Sequence, residues 1–271
     1  MKQKKKRKVH PVRVLLILLI LAGFLFLVIR EIIEKQREES IHEDISYLPS
    51  HNYDWNKLDN SKGYLTYEDE NHTSSFGIDI SEHNGDIDFE KIKEEGVEFV
   101  FIRAGWRGAV TGYLNKDKRF EEYYEGAKRA GLSIGFYFFS QAVNEEEAIE
   151  EADYLASLVK GKSFDLPLVY DYEDFSEGRI EELDGKTRTA NALAFLERIA
   201  MHNYKGILYT NLNWLRWYYD VKDIIDLDIW FAQYHDVPQY PHPFRLWQYS
   251  EEGELEGIEE KVDFNIMFIE K

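Results

Sequence analysis

The sequence predicts an α/β barrel of about eight mainly parallel strands, preceded by an N-terminal membrane helix and a polar linker. From residue 76 onward, short apolar runs alternate with segments of helical periodicity, a pattern typical of strands covered by helices. The connections near the C-terminus have only about a dozen residues, barely enough for a parallel crossover. We therefore expect the last two strands to form an antiparallel hairpin, in a barrel smaller than the usual size of about 250 residues.

Eight strands and about five helices account for this part of the chain. The strands are predicted at 76–80, 99–104, 133–139, 168–172, 206–209, 228–232, 244–249 and 262–269. The helices are predicted at 89–95, 120–130, 145–159, 187–202 and, in a shorter piece, 213–218. Functional residues are expected where the parallel strands end, because barrel enzymes place their sites on that face.

The N-terminal part predicts a membrane anchor. Residues 1–13 are basic, and residues 14–29 contain no charge, which together indicate a signal-anchor helix with a cytoplasmic N-terminus. Cleavage as a signal peptide is the alternative, but no small-x-small site follows Ile29. Residues 30–75 are predicted to be a stalk and residues 76–271 the barrel domain. The barrel would lie outside the cell, or be secreted if the segment is cleaved.

Composition excludes several kinds of partner and site. The chain has 33 basic and 51 acidic residues, and eight of the basic ones lie within residues 1–30, so the rest is strongly acidic and unsuited to nucleic acid. A neutral sugar polymer is a more compatible partner. The absence of cysteine excludes disulfides, thiolate zinc sites and cysteine nucleophiles.

The strongest chemical signal is the segment L-P-L-V-Y-D-Y-E-D, in which a buried strand ends with Asp171 and Glu173. Side chains alternate along a strand, so both carboxylates point the same way with alpha carbons roughly 6.6 Å apart. Crowded acids push their pKa values apart, which suits acid catalysis on a glycosidic bond. The same motif also occurs as a loop start that forms a salt bridge.

Two other segments support the catalytic interpretation. The strand that begins G-I-D-I-S carries Asp79, and the V-D-F-N strand carries Asp263. Each places an acid where a hydrophobic residue is expected. A C-terminal hairpin would bring Asp263 near Trp247 and Gln248, and all four acids would then converge on one rim of the barrel.

With these motifs, the chain resembles the glycoside hydrolase family 25 lysozymes, the N-acetylmuramidases of bacteria and phages. The resemblance extends from about Phe76 to the C-terminus. It rests on ordered motifs, namely G-I-D-I-S, F-V-F-I-R-A-G, G-F-Y-F-F-S-Q-A, D-Y-E, Y-T-N, W-F-A-Q-Y, W-Q-Y-S and V-D-F-N. It implies an irregular TIM-like barrel with an antiparallel closing strand, and cleavage of the β-1,4 bond between N-acetylmuramic acid and N-acetylglucosamine in peptidoglycan without a cofactor.

The resemblance also implies roles. Glu173 matches the family's general acid, and crowding by the other acids should raise its pKa. Asp171 is a base for water, a nucleophile or a group that orients the substrate's 2-acetamido oxygen, and the resemblance favours the third. Asp79 and Asp263 are then electrostatic and hydrogen-bonding supports.

Candidate sugar contacts lie near strand ends, where aromatic faces stack on sugar rings and an amide bonds hydroxyls, although aromatic residues in barrels are as often core residues. They are Tyr137, Tyr209, Trp230, Trp247 and Gln248. The resemblance favours Tyr137, Trp230 and Trp247. His83 lacks a second histidine at ligand spacing, so no metal site is expected.

Two alternatives stay open. One is a catalytically silent peptidoglycan-binding or scaffold protein of the same fold, although such a protein would be expected to have lost one of the four acids. The other is a barrel glycosidase acting on another polysaccharide. In either case, the anchor would hold the domain near the membrane in place of a separate wall-binding module.

Overall fold

The computed structural model describes residues 20, 21, 23–30, 48–173 and 178–271. These residues belong to two compact units, one ending at Tyr47 and the other running from Leu48 to Lys271. In the first unit, the described residues are helical. Among the described ranges, no helix has both the length and the apolar character needed to span a membrane. Residues 14–19 and 22 of the predicted anchor, and the segments 1–13 and 31–47 beside it, lie outside the described residues.

Eight strands of the second unit close into a barrel. They are β1 (His72–Ile80), β2 (Phe99–Arg107), β3 (Ser133–Ser140), β4 (Leu168–Tyr172), β5 (Gly206–Asn211), β6 (Ile229–Ala232), β7 (Leu246–Gly253) and β8 (Val262–Glu270). All eight correspond to predicted strands. The main differences are at the closing seam, where β1 begins four residues before the predicted start and β7 continues to Gly253.

Strands β1 to β7 are joined side by side as parallel neighbours, and β8 lies antiparallel between β7 and β1. The predicted hairpin between the last two strands is therefore confirmed. Its register places Asp263 opposite Asp79 and Asn265 opposite Gln248. An antiparallel strand starts beside the end of its neighbours, so β8 contributes its first residues to the face where the parallel strands end.

Six helices are described in this unit: α1 (Phe89–Glu94), α2 (Phe120–Ala130), α3 (Glu145–Val159), α4 (Gly185–Met201), α5 (Leu212–Trp217) and α6 (Val221–Ile224). The five predicted helices are confirmed, and α6 was not predicted. Local signals explain the long ones. In α3, the Asn144 side chain accepts the Glu147 N–H at 2.9 Å, and three glutamates occupy the first turn, where the helix dipole favours negative charge.

The barrel interior is a packed core. Large inward side chains face glycines on neighbouring strands, so that a Cβ on Gly77 would lie 2.4 Å from the Phe99 ring and one on Gly135 would lie 2.3 Å from the Phe101 ring. Interiors at native density leave little room for such atoms. The inward cluster consists of Phe99, Phe101, Leu166, Val169, Ile207, Tyr209, Trp230, Ala232, Leu246 and Met267, with Tyr137 packed against it.

Residues 48–69, here called the arm, pack on strands β1, β7 and β8. The Tyr53 ring stacks on Phe268 at a centroid distance of 4.2 Å, and the Tyr64 ring stacks on Phe76 at 4.1 Å. The Leu65 N–H donates to the Tyr249 hydroxyl at 3.1 Å. The arm thus contributes its aromatic side chains to this side of the barrel.

The predicted boundary at residue 75 does not coincide with that of the compact unit, which begins at Leu48. Residues 48–75 include two short strands, Leu58–Asp59 and Thr66–Tyr67, as well as the start of β1. The arm's aromatic residues are separated by polar ones without a helical or strand period. The sequence therefore gives no periodic signal of the arm's packing.

Replacing Tyr53 by alanine should lower the free energy of unfolding of residues 48–271 by about 2–4 kcal/mol, since it removes a stacked ring and its hydrogen bond to the Phe244 carbonyl. Urea denaturation followed by circular dichroism measures this change. The exposed neighbour Asn52→Ala serves as control. Equal effects of the two substitutions would mean that the arm does not contribute to the cooperative stability of the barrel.

Candidate active site

A cavity of about 750 Å³ opens where the parallel strands end. Five carboxyl groups line it, and the four that the sequence singles out each come from an end of a strand at that face. Asp79 lies near the end of β1, Asp171 near the end of β4, Glu173 directly after β4 and Asp263 at the start of β8. The structure therefore brings together all four acids that the sequence singles out.

Asp79 and Asp263 form a carboxyl pair across the β1–β8 seam. Burial, together with the charge of Asp79 and the hydrogen bond to it, raises the pKa of Asp263 to about 9. Burial also raises the pKa of Asp79, to about 6, although hydrogen bonds from Asn265, Gln248 and Asp263 act in the opposite direction. At neutral pH, Asp263 therefore keeps its proton and donates it to the Asp79 carboxylate.

Two amide side chains hold the Asp79 carboxylate. Its Oδ1 accepts Asn265 Nδ2 at 2.7 Å and Gln248 Nε2 at 2.9 Å. The amide oxygens are bonded in turn: Trp230 Nε1 donates to Asn265 Oδ1 at 2.8 Å, and the hydroxyls of Tyr209 and Tyr234 each donate to Gln248 Oε1 at 2.9 Å. This network fixes the orientation of both amides, because their oxygens are occupied by donors.

Asp171 has a different environment from Asp79. Burial raises the pKa of Asp171 well above its usual range, and the charges of Glu173 and Asp79 raise it further, while the Arg103 guanidinium opposes the shift. The Oδ1 atom is buried and has no hydrogen-bond partner within the described residues. Repulsion in the Asp171–Glu173 pair favours retention of a proton by the pair.

Three predicted aromatic residues line the cavity, namely Tyr137, Tyr209 and Trp230. All three also belong to the inward packing of the barrel. The Trp230 ring lies 4.6 Å from the Phe101 ring and 5.1 Å from the Tyr209 ring, measured between centroids. These residues are therefore part of the barrel core and also line the cavity, and their contact with sugar stays a prediction.

The comparisons with known proteins agree with this geometry. The model of the family described as glycosyl hydrolases family 25 matches residues 78–258, more than half of the chain. The chain belongs to this family. The arm precedes the matched region.

Three relatives illustrate the similarity. The chain is 29% identical over 192 residues to an autolytic lysozyme of Clostridium acetobutylicum, a match that covers 70% of this chain and 54% of that protein. A bacterial lysozyme structure from Streptomyces coelicolor superposes with a TM-score of 0.60 at 27% identity, covering 70% of this chain and 90% of that one. The modular autolysin LytC of Streptococcus pneumoniae, in complex with a synthetic peptidoglycan ligand, gives a TM-score of 0.66 at 23% identity, covering 78% and 52%. The chain thus spans about half the length of the Clostridium protein.

Trp247 was predicted to contact substrate, but the structure does not place it among the residues that line the cavity. Trp247 precedes Gln248 on β7, and successive strand residues point to opposite faces. Gln248 points into the barrel, so Trp247 points outward, where it is fully buried beside Trp55 of the arm. Its indole N–H donates to the Gln233 carbonyl at 2.8 Å, so its role is to pack the arm and hold the loop after β6.

Several residues around the cavity were not predicted. Arg103 comes from β2 and is held by the buried Asp117, whose Oδ2 accepts its Nε at 2.9 Å. The others come from strands, from helix α5 and from the loop after β6, so that only the tertiary fold brings them together. They are Phe139, Asn211, Leu212, Asn213, Arg216, Ala232, Gln233, Tyr234, Gln239 and Glu251. Five of them lie within the motifs G-F-Y-F-F-S-Q-A, Y-T-N and W-F-A-Q-Y, but none was singled out as a site residue.

The Asp263→Asn substitution tests the carboxyl pair. A carboxyl group whose pKa rises on folding stabilises the folded state less as pH rises from its unfolded value toward about 9. Asparagine donates a similar hydrogen bond to Asp79 at every pH. At pH 8 the variant should therefore exceed the wild type in unfolding free energy by at least about 1 kcal/mol, because one pKa unit corresponds to about 1.4 kcal/mol.

Urea denaturation at pH 5, 6.5 and 8 measures this difference, which should grow with pH. A difference that shrinks as pH rises would contradict the proton assignment. Glu260→Gln, an exposed acid to amide change in the loop before β8, serves as the charge control.

Proposed function

We propose that this chain is a lysozyme-type peptidoglycan hydrolase that cleaves the β-1,4 bond between N-acetylmuramic acid and N-acetylglucosamine. The observation that carries the proposal is the convergence of Asp79, Asp171, Glu173 and Asp263 in one cavity at the end of the barrel strands. Such a set of acids is costly to bury and suits glycoside hydrolysis. The lysozyme and autolysin names of the relatives support the same substrate class.

Glu173 is the proposed general acid. Cleavage requires protonation of the leaving glycosidic oxygen as an oxocarbenium-like centre develops. Glu173 lies directly after β4 and is half-buried at the cavity wall, so its carboxyl group combines access to substrate with the repulsive neighbourhood of Asp171. The proton that this pair retains is, in this proposal, the one that Glu173 delivers.

Asp171 is proposed to orient the 2-acetamido group of the substrate. Its buried Oδ1, which has no partner in the described part of the chain, would accept the acetamido N–H. The acetamido oxygen would then be aimed at the anomeric carbon, where it stabilises positive charge. A buried acceptor without a donor is unfavourable, so substrate binding would also satisfy this group.

Asp79 supports this arrangement from the opposite wall. Its charge raises the pKa of Asp171, and the amide network holds it in place. Tyr209 and Tyr234 connect the network to the cavity surface, since both hydroxyls bond Gln248. Sugar hydroxyls bound there would be positioned relative to the acids by the same hydrogen bonds.

The Glu173→Gln substitution tests the reaction. Loss of the proton donor should lower the rate of peptidoglycan hydrolysis by about 10²–10⁴-fold, the usual contribution of general acid catalysis. The assay follows new reducing ends released from purified peptidoglycan by residues 48–271, with product termini identified by mass spectrometry. Glu182→Gln, an exposed acid outside the cavity, is the matched control and should retain wild-type activity.

Products that end in reducing muramic acid would identify a muramidase, and reducing glucosamine ends would identify a different bond. If the folded wild type binds peptidoglycan but releases no ends, the hydrolase proposal is wrong and the binding or scaffold function replaces it. Circular dichroism of each variant establishes that the fold is retained.

We further propose that the chain is a single-pass membrane protein with its barrel outside the cell. The support is the sequence, with basic residues 1–13 followed by the uncharged residues 14–29. The full chain should sediment with membranes and be released by detergent but not by high salt, whereas a chain beginning at residue 31 should be soluble. A mature N-terminus downstream of residue 29 in a soluble fraction would instead establish cleavage and secretion.

A further inference from the structure

Gln141 makes an unusual contact with the residue proposed as the general acid. It lies in the loop between β3 and α3 and is fully buried. Its Nε2 donates to the main-chain carbonyl of Glu173 at 2.8 Å. Gln141 does not line the cavity, so it acts on Glu173 from behind rather than on the substrate.

The Glu173 carbonyl needs such a donor because the strand ladder ends before it. The last paired residues of β3 and β4 are Ser140 and Tyr172, and the pairing of β4 with β5 ends at Asp171. Buried carbonyls are almost always hydrogen-bonded. The Gln141 side chain therefore supplies the hydrogen bond that the main-chain ladder no longer provides at Glu173, directly after the end of β4.

Stability alone does not explain an amide at this position. The Gln141 Oε1 atom is buried and has no hydrogen-bond partner within the described residues. The free-energy cost of a buried polar atom without a partner is at least comparable to the net gain from one hydrogen bond. The amide therefore has little net stabilising value, and what it provides is a fixed position for the Glu173 main chain.

The loop that carries Gln141 is itself held rigidly. Glu151 of α3 is fully buried and accepts the Gln141 main-chain N–H at 3.3 Å and the Ser140 hydroxyl at 2.5 Å. Arg107 at the end of β2 donates its Nε to the same carboxylate at 2.7 Å. A buried charge pair with these additional bonds fixes geometry more than it adds stability.

We propose that Gln141 is a positioning residue for Glu173, anchored by the Arg107–Glu151 pair. The amide fixes the main chain at the end of β4 and thereby the direction of the Glu173 side chain. The inference rests on the proposed function, in which Glu173 delivers the proton to the leaving oxygen. Small errors in the position of a catalytic group are costly, about 10²-fold in rate for 1 Å.

The Gln141→Met substitution removes the donor while keeping the length of the side chain. We expect kcat on soluble glycan strands to fall about 10- to 100-fold, with KM within about threefold of the wild type, because Gln141 does not contact the cavity. A purely structural role would not produce this split between kcat and KM in protein that is folded at the assay temperature.

Asn191 on α4 provides a matched control. It is also fully buried, its Nδ2 donates to the Ala142 carbonyl of the same loop at 3.0 Å, and its Oδ1 also has no partner among the described residues. Its hydrogen bond goes to Ala142 and not to the Glu173 main chain. Asn191→Leu should lower the melting temperature about as much as Gln141→Met but leave kcat within about twofold of the wild type.

The Gln141→Glu substitution adds a pH test. The new carboxyl group can donate to the Glu173 carbonyl only when it is protonated, so kcat relative to the wild type should be highest at acidic pH and fall as pH rises. This measurement also serves if Gln141→Met does not fold. Wild-type kcat in a folded Gln141→Met, equal losses of kcat in Gln141→Met and Asn191→Leu, or a flat relative profile for Gln141→Glu would each overturn the positioning role.

The two proposals fail in different ways. If the wild type releases no reducing ends, the proposed function is wrong. If the wild type is active, Glu173→Gln is inactive and the Gln141 variants match the wild type, only the positioning role is wrong.

Discussion

The antiparallel insertion of β8 between β7 and β1 closes the barrel, and the geometry of the site depends on it. A parallel strand at this place would bring its C-terminal end to the cavity and carry Asp263 to the opposite face. In the antiparallel register, Asp263 lies opposite Asp79 and Asn265 lies opposite Gln248. One hydrogen-bonded ladder thus positions a carboxyl pair and the two amides that hold it.

Several acids buried in one cavity repel one another when they are ionised, and the two walls of the cavity differ in how this repulsion is reduced. On the β1 side, the charge is kept on Asp79 and stabilised by amide donors, while Asp263 keeps its proton. On the β4 side, the Oδ1 atom of Asp171 has no hydrogen-bond partner among the described residues, and the pKa of Asp171 is raised by burial and by Glu173. The first wall carries a fixed anion, while burial and repulsion on the second wall favour retention of a proton, an asymmetry that suits the proposed acid catalysis.

The outer side of the closing strands is covered by aromatic side chains. Trp247 and Tyr249 point outward from β7, on the face opposite to Gln248, and are part of a large aromatic surface. The arm packs on this surface through Trp55 and Leu65. The family match begins at residue 78, so the arm lies outside the matched region although it is part of the same compact unit. Its apolar packing contributes to the stability of the barrel by burying hydrophobic surface.

The sequence by itself determined the order of the strands and helices, the hairpin closure and the four acids, because these follow from periodicity, connection length and buried charge. It also indicated the gathering of Asp79, Asp171, Glu173 and Asp263, since the C-terminal ends of parallel strands meet at one face. Only the tertiary structure decided the face of Trp247, the packing of the arm and the contact of Gln141 with the Glu173 carbonyl. Strand alternation places Trp247 and Gln248 on opposite faces but does not decide which of them points inward. Contacts between residues far apart in the chain leave no local pattern.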